Sequence, residues 1–192
     1  MFWNSSFFNF RRNLAMAKAV FHVGVFGIPA KLVNGVVRIK VNVRGDEAEQ
    51  TRQWGLAKLT PVPGISIIDC PGGAVKPGDK SMEEALRREI AEETGGCELE
   101  LLGEFSQAFQ FMSEGTLEKP ADLAFWCPIR LIGEPKPSAE ASAHPWISMA
   151  EFEAETPYRC VSGLGNKGRT GRMMRAALKW FETRWGDAKI FS

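Results

Sequence analysis

Histidine and tyrosine are scarce in this chain, with two and one among 192 residues. His22 and His144 have no partner at ligand spacing, and Cys70, Cys97, Cys127 and Cys160 lie far apart without a CxxC pair. That pattern suggests neither a zinc site nor a disulfide framework and leaves reduced thiols in a cytoplasmic protein. Excess charge is absent too. The 24 Lys and Arg offset 23 Asp and Glu to a net +1, so no global field favours nucleic acid or an acidic partner. No apolar run reaches the ~18 residues a bilayer demands. The opening "MFWNSSFFNFRRNLAMAKAV" has its arginines after the apolar residues, the wrong order for a signal peptide. With no repeat or low-complexity block, the expectation is one soluble domain over residues 16–192, preceded by an extension, an upstream start or a packing arm over 1–15.

What is present begins with β patterning. "VVRIKVNVR" puts Val37, Ile39, Val41 and Val43 on one face and Arg38, Lys40, Asn42 and Arg44 on the other. Asn34-Gly35 before it is a type I′ hairpin signal. The polar stretch 45–64 reads as a long loop and "ISIID" as a buried strand. "ELELLGEFSQAFQF" and "ADLAFWCPIRLI" read as further strands, "GEPKPSAEASAHP" as loop, "SMAEFEAE" as a short helix and "GRMMRAALKWFETRW" as an amphipathic one. Such a mixture predicts an α+β or layered α/β/α domain.

Ser81 followed by Glu84 predicts a capping box, and Gly95-Gly96 a stop, for a helix over 81–94. Its inward stripe is Met82, Ala85 and Leu86. Seven residues further along lie Glu89 and Glu93, with Glu92 beside them, so carboxylates continue the line that faced the core. A solvated helix end is the simplest account of them. Two features oppose it: acidic groups at a helix C-terminus work against the macrodipole, and Gly72-Gly73 upstream offers exposed N–H groups to an anion. Partly buried carboxylates need a compensating cation, and hard oxygens suit Mg²⁺ or Mn²⁺ better than zinc. Arg88 is placed to hydrogen-bond a carboxylate and fix its rotamer.

The segment "PGGAVKPGDKSMEEALRREIAEETGG", residues 71–96, resembles the Nudix box. Arg88, Glu89, Ile90, Ala91, Glu92, Glu93, Thr94 and Gly95 match its R-E-hydrophobic-x-E-E-x-G tail, with Gly73 in place of its first glycine. The resemblance implies an α/β fold, the Nudix α/β/α sandwich with a mixed central sheet. It also implies hydrolysis of a diphosphate linkage in a nucleoside diphosphate derivative with Mg²⁺, or Mn²⁺, as cofactor. It assigns catalysis to Arg88, Glu89, Glu92 and Glu93 and metal binding to Glu89, Glu92, Glu93 and Gly73. Substrate contacts fall to Arg44 and Trp54 and to Glu114, Glu118 and Asp122, the last three also being candidates for the base. Two departures stand out: Asp79 replaces the box's glutamate, with one extra residue between it and Arg88, and Gly96 replaces a bulky aliphatic.

Trp54, Phe109, Phe111 and Trp126 are candidates for stacking on a base, though most are expected in the core. Lys167, Arg169 and Arg172 are candidates for a phosphate tail, against the simpler reading of a solvated loop. Residues 111–115, "FMSEG", lack the proline or tyrosine that marks ADP-ribose or dinucleoside polyphosphate subfamilies. A pool-sanitising nucleoside triphosphate pyrophosphohydrolase leads by default, beside a nucleotide-sugar hydrolase. The alternative is a lapsed nucleotide-binding module. The expected partner is a nucleotide substrate, with neither nucleic acid nor membrane, and a homodimer is left open.

Overall fold

Strand β1 (Phe21–Val33) turns through Asn34 and Gly35 into β2 (Val36–Lys40). Both turn residues have positive φ, 49° and 77°, and β2 runs antiparallel to β1, so the hairpin signal is realised. The computed structural model describes residues 21–44, 64–102, 109–112, 121–160 and 165–184. Residues 1–15, and with them the expected extension, lie outside those described.

"VVRIKVNVR" is not one strand. The ladder breaks at Val41, whose N–H donates to the Pro145 carbonyl at 3.1 Å, and β3 (Asn42–Arg44) joins a second sheet. There it pairs with β4 (Ser66–Asp69) and β9 (Ala141–Ala143), and β11 (Tyr158–Cys160) extends β4 in parallel. Strand β9 lies inside the stretch the sequence presented as loop. The larger sheet follows the order β10 (Trp146–Ser148), β2, β1, β8 (Ala121–Ile132), β6 (Glu98–Leu101). Strand β5 (Gly72–Ala74) pairs with β1, and β7 (Phe109–Met112) with β8. The β1–β8 pair is parallel and the others in this sheet antiparallel, giving a mixed sheet.

Helices cover its two faces. Helix α1 (Met82–Glu93) buries Ala85, Leu86 and Ile90 against Val25, Leu99, Cys127 and Ile129. Helix α2 (Met149–Glu153) and helix α3 (Arg169–Thr183) bring Phe152, Met174, Leu178 and Phe181 to Ile28, Ile39 and Trp126. Along β8, Ala124 and Trp126 face the α3 side while Cys127 and Ile129 face α1, the alternation a doubly covered strand requires. All four cysteines are buried and unbridged, and burial pushes the Cys127 thiol up to about 12. Among the described residues no helix is long and apolar enough to cross a membrane.

The start of α1 differs in one detail from a reciprocal capping box. Ser81 Oγ accepts the Glu84 N–H at 3.0 Å, but the Glu84 carboxylate accepts the Lys80 N–H at 2.7 Å rather than that of Ser81. At the far end Gly95 and Gly96 adopt φ of 68° and 102°, and the Gly96 N–H returns to the Ala91 carbonyl at 2.8 Å. The stop therefore comes directly after the glutamates and fixes their place at the helix end.

Candidate metal and catalytic site

The face of α1 that begins with Ala85 and Leu86 ends in charge. Glu89 and Glu93 are 6% and 1% exposed, whereas Glu92 stands in solvent. A solvated helix end thus accounts for Glu92 alone. Burying two carboxylates is unfavourable unless each is paired and hydrogen-bonded, and each is, by different partners.

Glu93 points toward β3. Its Oε2 accepts from Asn42 Nδ2 at 2.9 Å and from the Gly72 N–H at 2.6 Å, and its Oε1 faces Arg44 Nη1 at 3.3 Å. The Arg44 guanidinium reaches Asp69 Oδ2 at 3.1 Å on its other side. Asn42 is itself held, its Oδ1 lying 2.8 Å from His144 Nδ1, while His144 Nε2 lies 3.0 Å from the Lys136 carbonyl. Burial raises Glu93 to about 8, with Arg44 opposing the shift. The polar face of "VVRIKVNVR" thus turns inward over its second half: Lys40, Asn42 and Arg44 are all buried. The Gly72 N–H does meet an acidic side chain, and that side chain belongs to the protein itself.

Glu89 points the other way, toward the loop before α1. Arg88 Nη1 donates to its Oε1 and lies 3.4 Å from Glu92 Oε2. Arg88 also donates through Nε and Nη2 to the two oxygens of Asp79, at 3.1 and 2.9 Å, and through Nη2 to the Ala74 carbonyl at 3.0 Å. Bidentate geometry of this kind fixes a guanidinium plane. Hydrogen bonding to Arg88 holds the Asp79 carboxyl down at about 2, and the same bonds to Asp79 raise Arg88. Asp79 thus keeps a grip on Arg88 despite its shorter side chain and the extra residue between them.

The glycines of β5 separate the two carboxylates. Gly72 has φ of 142°, and a Cβ there would meet the Val25 carbonyl oxygen at 2.2 Å. A Cβ on Gly73 would meet Glu89 Oε2 at 2.5 Å, so only glycine lets the strand pass so close to that carboxylate.

Trp54, Glu114 and Glu118 lie outside the described residues. Asp122 is on β8 opposite His22 in the parallel register. Arg44 is buried between Glu93 and Asp69, and Trp126 is 1% exposed and stacked on Phe26 at 4.9 Å, a core position rather than a base platform. Sequence reasoning missed Asn42, Asp69, Lys76 and His144. A polar strand face carrying Asn42 and Arg44 was the one visible signal for the first of these.

The family model of the NUDIX domain matches residues 46–161, more than half the chain. The chain belongs to the Nudix family. It is by family a Nudix hydrolase. No curated protein matches the sequence. Solved structures share the Nudix fold at low identity. A MutT protein from Methanosarcina mazei Go1 is 18% identical with a TM-score of 0.50, over 88% of this chain and 98% of its own. A Caenorhabditis elegans Ap4A hydrolase is 13% identical with a TM-score of 0.51, over 83% and 99%. The NUDIX domain of Shewanella oneidensis NrtR, complexed with ADP ribose, is 12% identical with a TM-score of 0.50, over 89% and 92%.

Nudix hydrolases generally use divalent metal ions, and the donor set here fits one in part. Glu89 Oε1 and Glu92 Oε2 each lie 3.6 Å from the Lys76 ammonium, so two hard carboxylates already converge on one cationic group. Mg²⁺ is commonly held by one or two carboxylates together with substrate phosphates. Glu93 faces Arg44 instead, and among the described residues no three His, Cys, Asp or Glu side chains converge on one point. The Nudix glutamates are therefore split into an open pair and a closed third.

Proposed function

We propose that this Nudix protein hydrolyses the diphosphate linkage of a nucleoside diphosphate derivative with Mg²⁺, Mn²⁺ serving as a substitute. One observation carries the reading: Arg88 is clamped by Asp79 while it holds Glu89 and approaches Glu92, so two carboxylates are pre-set on one side of a glycine strand. Pre-set carboxylates avoid reorganisation when charge develops, which is where electrostatic catalysis gains most.

Glu89 and Glu92 are the residues that would hold the ion, and release of Glu93 from Arg44 adds a third carboxylate. When bound, a divalent cation neutralises phosphate oxygens and acidifies a water molecule. Arg88 keeps Glu89 in one rotamer, Asp79 keeps Arg88 in plane, and Gly73 leaves room beside the Glu89 carboxylate. A further carboxylate acting on the water's proton is sought among Glu114, Glu118 and Asp122.

A nucleoside triphosphate pyrophosphohydrolase of the pool-sanitising type is our leading substrate assignment, ahead of a nucleotide-sugar hydrolase. The same fold at TM-scores of 0.50–0.51 includes a MutT protein, an Ap4A hydrolase and a domain complexed with ADP ribose, so likeness of fold does not choose among them. The assay is a panel of dNTPs, NTPs, ADP-ribose, nucleotide sugars and dinucleoside polyphosphates with Mg²⁺, followed by chromatography beside Glu89→Gln. Metal-dependent cleavage of a triphosphate, lost in the variant, is expected.

A second reading, a nucleotide-binding module without turnover, is favoured by the engagement of Glu93 with Arg44, Asn42 and Gly72. Calorimetry with non-hydrolysable nucleotides separates the two. Binding in the absence of any turnover supports the module.

A further inference from the structure

Lys76 has no role in the reading above, yet its ammonium lies 3.6 Å from Glu89 Oε1 and 3.6 Å from Glu92 Oε2. Its backbone is fixed from two sides. The Lys76 N–H donates to Asp79 Oδ2 at 2.7 Å, and the Asp79 N–H returns to the Lys76 carbonyl at 3.0 Å. Asp79 is in turn clamped to α1 by Arg88. The turn that carries Lys76 is thus tied to the helix bearing both glutamates, and a flexible four-carbon stem spans the remaining gap.

We propose that Lys76 is a built-in competitor for the divalent cation: its ammonium neutralises the Glu89–Glu92 pair in the metal-free protein and must leave for a metal to bind. The inference rests on the proposed reading of that pair as metal-binding. Three features argue for it. The contacts are ion pairs longer than a hydrogen bond, and the Lys76 side chain is half exposed, so the ammonium is readily withdrawn. A divalent ion sits about 2.1 Å from carboxylate oxygens, and its charge beside an ammonium aimed at those same two oxygens would be repulsive. Without Lys76, the cation left to the open pair among the described residues would be Arg88, which Asp79 also engages.

The test is Mn²⁺ binding to the metal-free full chain, read by electron paramagnetic resonance as loss of the free-ion signal, for wild type, Lys76→Met, Lys76→Arg and Lys80→Met. Lys80 is an exposed lysine on the same loop, and among the described residues the lysine paired with Glu89 and Glu92 is Lys76, so removal of Lys80 reports the effect of net charge. Lys76→Met should tighten Mn²⁺ binding by roughly three- to ten-fold, while Lys76→Arg and Lys80→Met leave it near wild type. Thermal unfolding of each metal-free variant checks that the fold persists, and Lys76→Gln replaces Lys76→Met if it does not. Equal affinity in wild type and Lys76→Met, or equal tightening by Lys80→Met, overturns the competitor while leaving the metal site intact. Absence of Mn²⁺ binding in every form overturns both.

Discussion

The two ends of the acidic face of α1 solve one problem in opposite ways. At the Glu93 end the carboxylate is 1% exposed and enclosed by Arg44, Asn42 and the Gly72 N–H, groups drawn from β3 and β5. At the Glu89–Glu92 end the partners are Lys76 and Arg88, the latter clamped by Asp79, all within a few turns of chain, and Glu92 reaches solvent. A buried carboxyl group needs partners fixed by tertiary structure. An ion at the rim can keep a loosely held one, and loosely held partners are what a ligand can replace. On this contrast we propose that the open end carries the chemistry and that the closed end braces it for as long as Glu93 stays with Arg44.

The sharpest way to break that division is at Glu89. Glu89→Gln keeps the shape and removes the charge, and turnover should fall on the order of 10²–10³-fold, with unfolding by urea nearly unchanged. Arg44→Met attacks the closed end instead. It leaves the buried Asp69 without its cation and Glu93 without a hydrogen-bonding partner, and should cost about 3–5 kcal/mol of stability in the same urea experiment. Asp79→Asn tests the clamp: turnover should drop about 10–100-fold, and Arg88→Asn in that background should add little, since the two residues act as one unit.

A further expected effect is a slope of stability with pH. Glu93 is raised from its ordinary 4.5 to about 8 in the folded chain. Between those values the unfolded chain has released this proton and the native chain still holds it. Stability should therefore fall as pH rises through 4.5 to 8 and level off above. Glu93→Gln should flatten the slope over that window in chemical unfolding across pH. A slope retained in the variant would place its origin elsewhere.

The open end was legible because its parts are neighbours in sequence. A capped helix, a line of apolar residues turning into glutamates at seven-residue spacing, and the pattern of residues 71–96 were enough to single out Arg88, Glu89 and Glu92 as candidates. The closed end was not, because Asn42, Asp69 and His144 reach Glu93 through strand pairings that join β3 to β4 and β9. Alternation in "VVRIKVNVR" correctly set apart its two faces. It could not say that the polar one turns inward, since a break at Val41 carries that face into a second sheet. Lys76 escaped notice for another reason: a lysine in a glycine-rich loop has many possible directions, and only the Asp79 turn selects this one.

The most direct test of the account is one turnover assay on the best substrate of the panel, with and without Mg²⁺, for wild type and Glu89→Gln. Cleavage by the wild type that requires Mg²⁺ and is lost in Glu89→Gln is the predicted result. Cleavage that persists in the variant, or that proceeds equally well after exhaustive chelation, would contradict the assignment of the open carboxylate pair as the working site.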